Sequence, residues 1–335
     1  MRIVCFGALL IRLSAPGRET LLQTPELRVH VGGAEMNVAV SLAQFGVWSA
    51  AVSIVPDNAL GRAAVGELRR YGADTSLMAT HAGRMGLYFL SPGAIHRPSQ
   101  VLYDRADSSF ALAPADLIDW SPAFNGASWL HLSGITPAIS ANAAAAALRA
   151  AKTAKQAGVK ISFDGNYRAS LWGARAGEAP AILRALFAEA DLVFADHRDI
   201  ALITGKAAEG DEHEQRRHAA ATAFATFPNL QRIACTGRRV HSVDHNDISG
   251  FMFTRDGVWT TRDHALPHIV DRIGGGDAFA AGVLYGLEKR LGDQEMLDFA
   301  IAAACLKHSI PGDFNLVTIA DVQAFLSENK FDVRR

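Results

Sequence analysis

The chain has 335 residues, 49% of them hydrophobic, with a net charge of −1. That composition buries a substantial core and excludes a disordered chain, and the charge balance argues against a nucleic-acid backbone as partner. Apolar runs stay short of the ~18 residues a membrane span needs, and the three cysteines, Cys5, Cys235 and Cys305, form neither a CxxC pair nor a zinc spacing.

Buried thiols in a reducing compartment are the plain reading of those cysteines. At the N-terminus, "MRIVCFGALLIRLSAPG" is read as a first strand. Arg12 interrupts its apolar run and no small-residue cleavage site follows, so a signal peptide is not expected and the cytoplasm is the default location. "RVHVGG" predicts a second strand and "AEMNVAVSLAQFG" a helix closed by Gly46. "WSAAVSIVP" then reads as a strand and "ALGRAAVGELRRYGA" as a helix. This β–α rhythm favours a parallel sheet with crossover helices.

The stretch 85–110 breaks the rhythm. "GLYFLSPGAIHRPSQVLYDR" reads as two strands joined by a Gly/Pro turn, a small antiparallel flap. Alternation resumes with "ASWLHLSG", the Ala-rich helix "SANAAAAALRAAKTAKQAG", "KISFDGNYR" and "AILRALFAEA". It continues through "DLVFAD", "RDIALITG", a helix around "RRHAAATAFATF" and "QRIACTG". "MFTRDGVWTTRD" predicts a hairpin around Asp256-Gly257, and helices follow to the C-terminus. The expected fold is a three-layer α/β/α unit spanning 1–335. It has a mostly parallel central sheet and a small β lid drawn from about 9–31 and 85–110.

Three constellations carry chemistry. "DRIGGGDAF" sets Gly274, Gly275 and Gly276 before an apolar helix, so their bare amides and the helix dipole form a candidate anion cradle. Asp277 beside them is a candidate proton acceptor for an attacking hydroxyl; a glycine-rich turn with Asp as helix cap is the alternative. In "VGGAEMN", Gly33 permits close approach and Asn37 offers both a donor and an acceptor to a polyhydroxy ligand, or is simply an exposed Asn. Tyr88, Tyr103 and Arg105 lie on the flap, and Arg168 lies just past a strand end. Two arginines converging on one cleft would bind a carboxylate or phosphate, unless both are surface residues.

Other signatures fail. Neither G-x-x-x-x-G-K-[ST] nor a G-x-G-x-x-G after the first strand is present. His213 and His218 have i,i+5 spacing and read as a solvated helix face. His241, Asp244 and His245 could hold a metal, but a polar loop is the simpler reading.

Together, "GGAEMN" and "DRIGGGDAF" resemble the paired signatures of the ribokinase-like (PfkB) carbohydrate kinases. "LIRLSAPG", "VLYDRADSSFA", "SFDGNYRASLW" and "KHSIPGDFN" are similar to the 2-keto-3-deoxygluconate kinase branch of that family. The resemblance implies ATP-dependent phosphorylation of a sugar acid at its terminal hydroxyl, with Mg²⁺ and a monovalent cation such as K⁺ near the 274–277 loop. It implies that Gly33, Asn37 and Tyr88 meet the sugar, and that Tyr103, Arg105 and Arg168 bind its carboxylate end. Asp313 would reach the substrate or an ion, and Asp277 would be the base. Asn166, Thr236, Gly237, Gly274 and Gly276 would meet the nucleotide, with Asp196 and Asp199 as oxygen ligands for Mg²⁺. Three departures accompany it: Asp196 and Asp199 stand where relatives carry N-x-x-E, no second glycine follows Gly237, and Ala8 replaces an acid. A homo-oligomer joined through the lid is expected. Competing readings are a fructokinase or other PfkB sugar kinase, and a catalytically weak sugar-binding regulator.

Overall fold

A computed structural model describes residues 2–327. Strand β1 (Arg2–Phe6) shows how the layers arise: Val4 and Phe6 face one apolar core while Ile3 and Cys5 face the other. A strand buried on both faces has no polar alternation, which is why "RIVCF" reads as a continuous apolar run. The remaining strands are β2 (Leu10–Ser14), β3 (Arg28–Gly32), β4 (Trp48–Val52), β5 (Ile54–Val55), β6 (Ala79–Thr80), β7 (Gly86–Ser91) and β8 (Gln100–Asp104). After these come β9 (Ala127–Ser133), β10 (Lys160–Asp164), β11 (Leu192–Phe194), β12 (Arg232–Ser242), β13 (His245–Thr254), β14 (Val258–Thr260) and β15 (His264–Leu266).

The central sheet runs β14-β13-β12-β11-β10-β9-β1-β4, with β15 also on β13. From β4 to β12 the pairs are parallel; β13, β14 and β15 join antiparallel. Helices Ala34–Gln44, Gly275–Lys289 and Asp293–Lys307 pack on one face. Helices Ala141–Gln156, Ala179–Glu189 and Glu212–Thr226 pack on the other. The three-layer α/β/α fold is thus the one expected. In the Ala-rich helix, Ser140 accepts from the Ala143 N–H, and Ala143, Ala147, Ala150, Ala151 and Ala154 form the buried stripe. No described helix is long and apolar enough to cross a membrane. Cys5, Cys235 and Cys305 are free and buried.

A second sheet, β3-β2-β7-β8, covers the carboxyl ends of the central strands. Here the structure corrects the chain-order reading. "RIVCFGALL" is not one strand: the chain leaves β1 at Gly7 and enters β2 in the lid. "RVHVG" belongs to the lid too, antiparallel to β2, so it is no member of the β–α rhythm. The turn at Gly7 carries no proline or charge, so local pattern gives little signal there, whereas the link from β2 to β3 carries Pro16, Arg18, Glu19, Pro25 and Glu26. The polar "HSVDHND" is not a free loop either, since β12 and β13 form a long hairpin that pairs Arg239 with Asp247 and Val240 with Asn246.

Two glycines separate packing from propensity. Gly282 lets the Gly275–Lys289 helix lie against Ala300, whose Cα would be 2.5 Å from an added Cβ. Gly66 lies inside the Ala59–Arg70 helix with open space around that position. Gly282→Ala is expected to destabilise by about 1–3 kcal/mol through overpacking. Gly66→Ala should stabilise by about 0.4–1 kcal/mol. Urea midpoints at constant m-value would report both.

Candidate active site

Two helix N-termini meet beneath the lid. The Ala34–Gln44 helix starts at Gly33, with φ 144° and no side-chain cap; a Cβ there would strike the Ala8 carbonyl. Gly274, with φ 82°, starts the Gly275–Lys289 helix, also without a side-chain cap; a Cβ there would strike the Asp313 carbonyl. Only glycine fits at either point. The two starts bring Asn37 and Asp277 together: Asn37 Nδ2 donates to Asp277 Oδ2 at 2.6 Å. Asp277 is therefore a first-turn residue whose carboxylate is held by a partner helix. Burial pushes its carboxyl up to about 7, although Asn37 and Arg168 pull it down.

The three glycines of the cradle differ. Gly276 faces open space and Gly274 also borders the cavity. Gly275 packs on the His308 imidazole, 2.6 Å from an added Cβ to Cε1, and its N–H points to the Arg272 carbonyl at 3.5 Å. The expectation that all three glycines line the cradle is corrected accordingly. The Gly276 and Asp277 amides, which lack intrahelical acceptors, are the strongest anion donors.

This cradle opens into a cavity of about 1080 Å³, bordered on the lid side by Tyr88, Tyr103 and Arg105. Arg105 lies across the Tyr103 ring, its Cζ 4.2 Å from the ring centroid. Its Nε and Nη1 are shut off from solvent and have no hydrogen-bond partner. Burial pushes its guanidinium down to about 10, and Arg168 adds to this. Arg168 donates to Tyr103 Oη at 2.6 Å and, through Nε, to Asn166 Oδ1 at 3.0 Å. Asn166 has φ 37° and also lines the cavity.

A third group rivets the lid to the cradle. Arg12, on lid strand β2 and only 1% exposed, pairs with Asp271 at 2.6 Å and lies 3.3 Å from Asp313. Tyr88 Oη donates to Asp313 Oδ2. Burial raises the Asp313 carboxyl even against the pull of Arg12, and Asp313 Oδ1 accepts no hydrogen bond.

On the far side, Asp196 and Asp199 form a capping box for the His197–Thr204 helix. Both Asp196 oxygens are occupied, by the Arg198 and Asp199 amides and by the Arg198 guanidinium. Asp199 accepts from the Asp196 N–H at 3.0 Å, and burial, then Asp196, push its carboxyl up to about 6. Thr236 borders the cavity. Gly237 does not: a Cβ there would lie 2.8 Å from the Phe251 ring, so it is a packing position. The hairpin tip gathers His241, His245 and Asp247, whereas Asp244 instead pairs with Arg18 at 2.8 Å.

Sequence reading missed four residues of the site: Arg12, Asp164, Arg238 and Arg272, all bordering the cavity. Asp164 ends β10, and its carboxyl is held well above the ordinary range by burial, then by Asp277 and Asp199. The signals were present: Arg12 as a charge inside an apolar run, and Asp164 as an acid closing a buried strand. Burial lowers both Arg238 and Arg272.

The profile of the pfkB family carbohydrate kinases matches residues 1–230. A 2-dehydro-3-deoxygalactonokinase of Haloferax volcanii is 30% identical over 329 residues, covering 97% of this chain and 96% of that protein. The crystal structure of a 2-dehydro-3-deoxygluconokinase from Thermotoga maritima superposes with a TM-score of 0.93 at 37% identity, covering 98% of each chain. A PfkB family carbohydrate kinase from Listeria grayi superposes with a TM-score of 0.92 at 35% identity, covering 98% of this chain and 100% of that one.

A carboxyl with its midpoint at about 7 serves as a base only when ionised. The kcat/KM of phosphoryl transfer is therefore expected to fall as pH drops below about 7. Asn37→Ala removes a bond that favours the carboxylate, so that acid limb should move to higher pH. Asp277→Asn should cut kcat by about 10²–10⁴. Initial rates across the neutral range, with circular dichroism as the control for folding, check all three.

Proposed function

The chain belongs to the pfkB family of carbohydrate kinases, and we propose that it transfers the γ-phosphoryl group of ATP to the terminal hydroxyl of a 2-keto-3-deoxy sugar acid of the gluconate type. The observation that carries the acid is Arg105. A buried guanidinium with two unpartnered nitrogens is costly unless a ligand supplies the counter-charge. With Arg168 beside it, the lid offers a carboxylate site for which a neutral hexose has no use.

Asn37 and Gly33 meet the sugar hydroxyls, and Asp277 takes the proton of the attacking alcohol as the new O–P bond forms. The Gly276 and Asp277 amides stabilise charge on the transferred group. Arg238 and Arg272 are free to neutralise nucleotide phosphates at the other end of the cavity. Burial raises the Asp164, Asp199 and Asp277 carboxyls, and Asp277 and Asp199 raise Asp164 further, a mismatch that a divalent cation relieves. Among these, Asp164 and Asp199 suit Mg²⁺ better than Asp196, whose oxygens are spent on Arg198 and two amides. When bound, the ion offsets phosphate charge. The lid keeps water away from the reacting groups.

The lid's outer face supports association of two copies. Val29 is 63% and Leu102 62% exposed, and Leu13, Val31, Leu87 and Phe89 beside them are half-buried. They alternate with the cavity-facing Arg12, His30, Tyr88 and Tyr103, so one sheet face is apolar and uncovered.

An ADP-release screen of keto-deoxy sugar acids against neutral hexoses tests the substrate class; preference for fructose would reject it. Arg105→Leu should lower kcat/KM for the acid by about 30-fold to 10³-fold, the loss of a buried charge pair of about 2–4 kcal/mol. It should leave any slow turnover of neutral sugars unchanged. Light scattering should give a dimer that Leu102→Asp dissociates; a wild-type monomer would reject the lid contact.

A further inference from the structure

The resemblance to pfkB kinases implies a monovalent cation beside the 274–277 loop, but the oxygen donors there do not fit one. Asp271 already accepts four hydrogen bonds. Its Oδ1 takes Arg12 Nη1 at 3.4 Å and the Ile273 N–H at 3.0 Å. Its Oδ2 takes Arg12 Nη2 at 2.6 Å and the Gly312 N–H at 2.9 Å. A nearby loop carbonyl, that of Ile310, accepts from Lys307 Nζ at 2.9 Å. A bound cation would have to displace these donors and stand next to an ammonium.

Lys307 is the last residue of the Asp293–Lys307 helix and is 0% exposed. Its Cε lies 3.2 Å from where a Cβ on Gly274 would stand, directly behind the cradle. Burying an ammonium costs several kcal/mol unless charge partners offset it. The partners here are Asp271 and Asp313, the two carboxylates that brace the loop; Arg12 is the other cation between them. Burial pushes the Lys307 ammonium down to about 8, while those carboxylates act to keep it charged.

We propose that the ε-ammonium of Lys307 is the built-in counter-cation of the phosphate-binding loop, so that this kinase turns over without an added monovalent cation. A tethered amine cannot diffuse away, and it faces the two carboxylates that brace the loop. This inference rests on the kinase reading above.

The test compares the wild-type enzyme in potassium chloride and in tetramethylammonium chloride at equal ionic strength, with ADP release and thermal midpoint as readouts. Rates agreeing within about twofold, and midpoints that coincide, are expected. Activation by potassium of about tenfold or more would overturn the proposal. So would a potassium-specific rise in midpoint of roughly 4 °C, the linkage expected of a well-filled ion site. Lys307→Met should lose about 100-fold in tetramethylammonium, as for an unpaired buried charge. Potassium or methylammonium should restore part of that loss. An unchanged rate, or a loss in a folded variant that neither cation relieves, would overturn the charge role. If the variant does not fold, the wild-type comparison decides. If the wild type phosphorylates no sugar acid in either salt, the kinase reading fails, and the midpoints alone still judge the ion site.

Discussion

The site depends on one constraint: two helices must begin at the same place without side-chain caps. Gly33 and Gly274 make this possible by taking backbone conformations closed to other residues and by admitting carbonyls where a Cβ would stand. The result is a set of amide donors facing a cavity, with Asn37 and Asp277 locked together between the helices. Neither helix start has a side-chain cap among the described residues, the arrangement that makes a helix N-terminus attractive to an anion. The Asp277 carboxylate sits at a midpoint near neutrality because burial opposes ionisation and Asn37 favours it. The open amides and the raised carboxyl thus have one structural origin.

Around that centre, buried charges are arranged in two classes. Arg12, Asp271, Asp313 and Lys307 set opposite charges against one another beside the loop. Arg105 is left unsatisfied and faces the cavity. The contrast separates architecture from recognition: a paired charge braces the site, whereas an orphaned one specifies what has to arrive. Glu35 is braced by neutral donors instead of a counter-charge. It is 1% exposed and accepts from the Ser133 N–H, Ser133 Oγ and Thr136 Oγ1, which anchors the Ala34–Gln44 helix to the end of β9.

Much of this was legible in the sequence. Alternating apolar segments and glycine stops revealed the α/β layers, and the two glycine-rich stretches marked the helix starts. What the sequence did not mark was the residue at which β1 gives way to the lid. The turn at Gly7 that carries β1 into β2 has no polar or proline punctuation, because both strands are buried. Nor does spacing separate Gly237, kept small by Phe251 inside β12, from Gly276, which faces open space at a helix start; only packing tells them apart. Asp164 and Arg12 escaped notice for a similar reason. Their significance lies in long-range neighbours, Asp277 and Asp199 for one and Asp271 and Asp313 for the other.

The Arg12 rivet also decides how the lid can move. Swinging the whole sheet away as a rigid flap would pull a buried guanidinium off Asp271 and Asp313 together, leaving two buried carboxylates with Lys307 as their cation. The outermost strand β8 is held far more lightly, its Tyr103 meeting the central domain through one exposed bond to Arg168. Traffic in and out of the chamber is therefore cheapest through the rim carrying β8, like a sash window rather than a hinged door. Arg105 follows β8 directly and so lies on that same rim, facing the cavity.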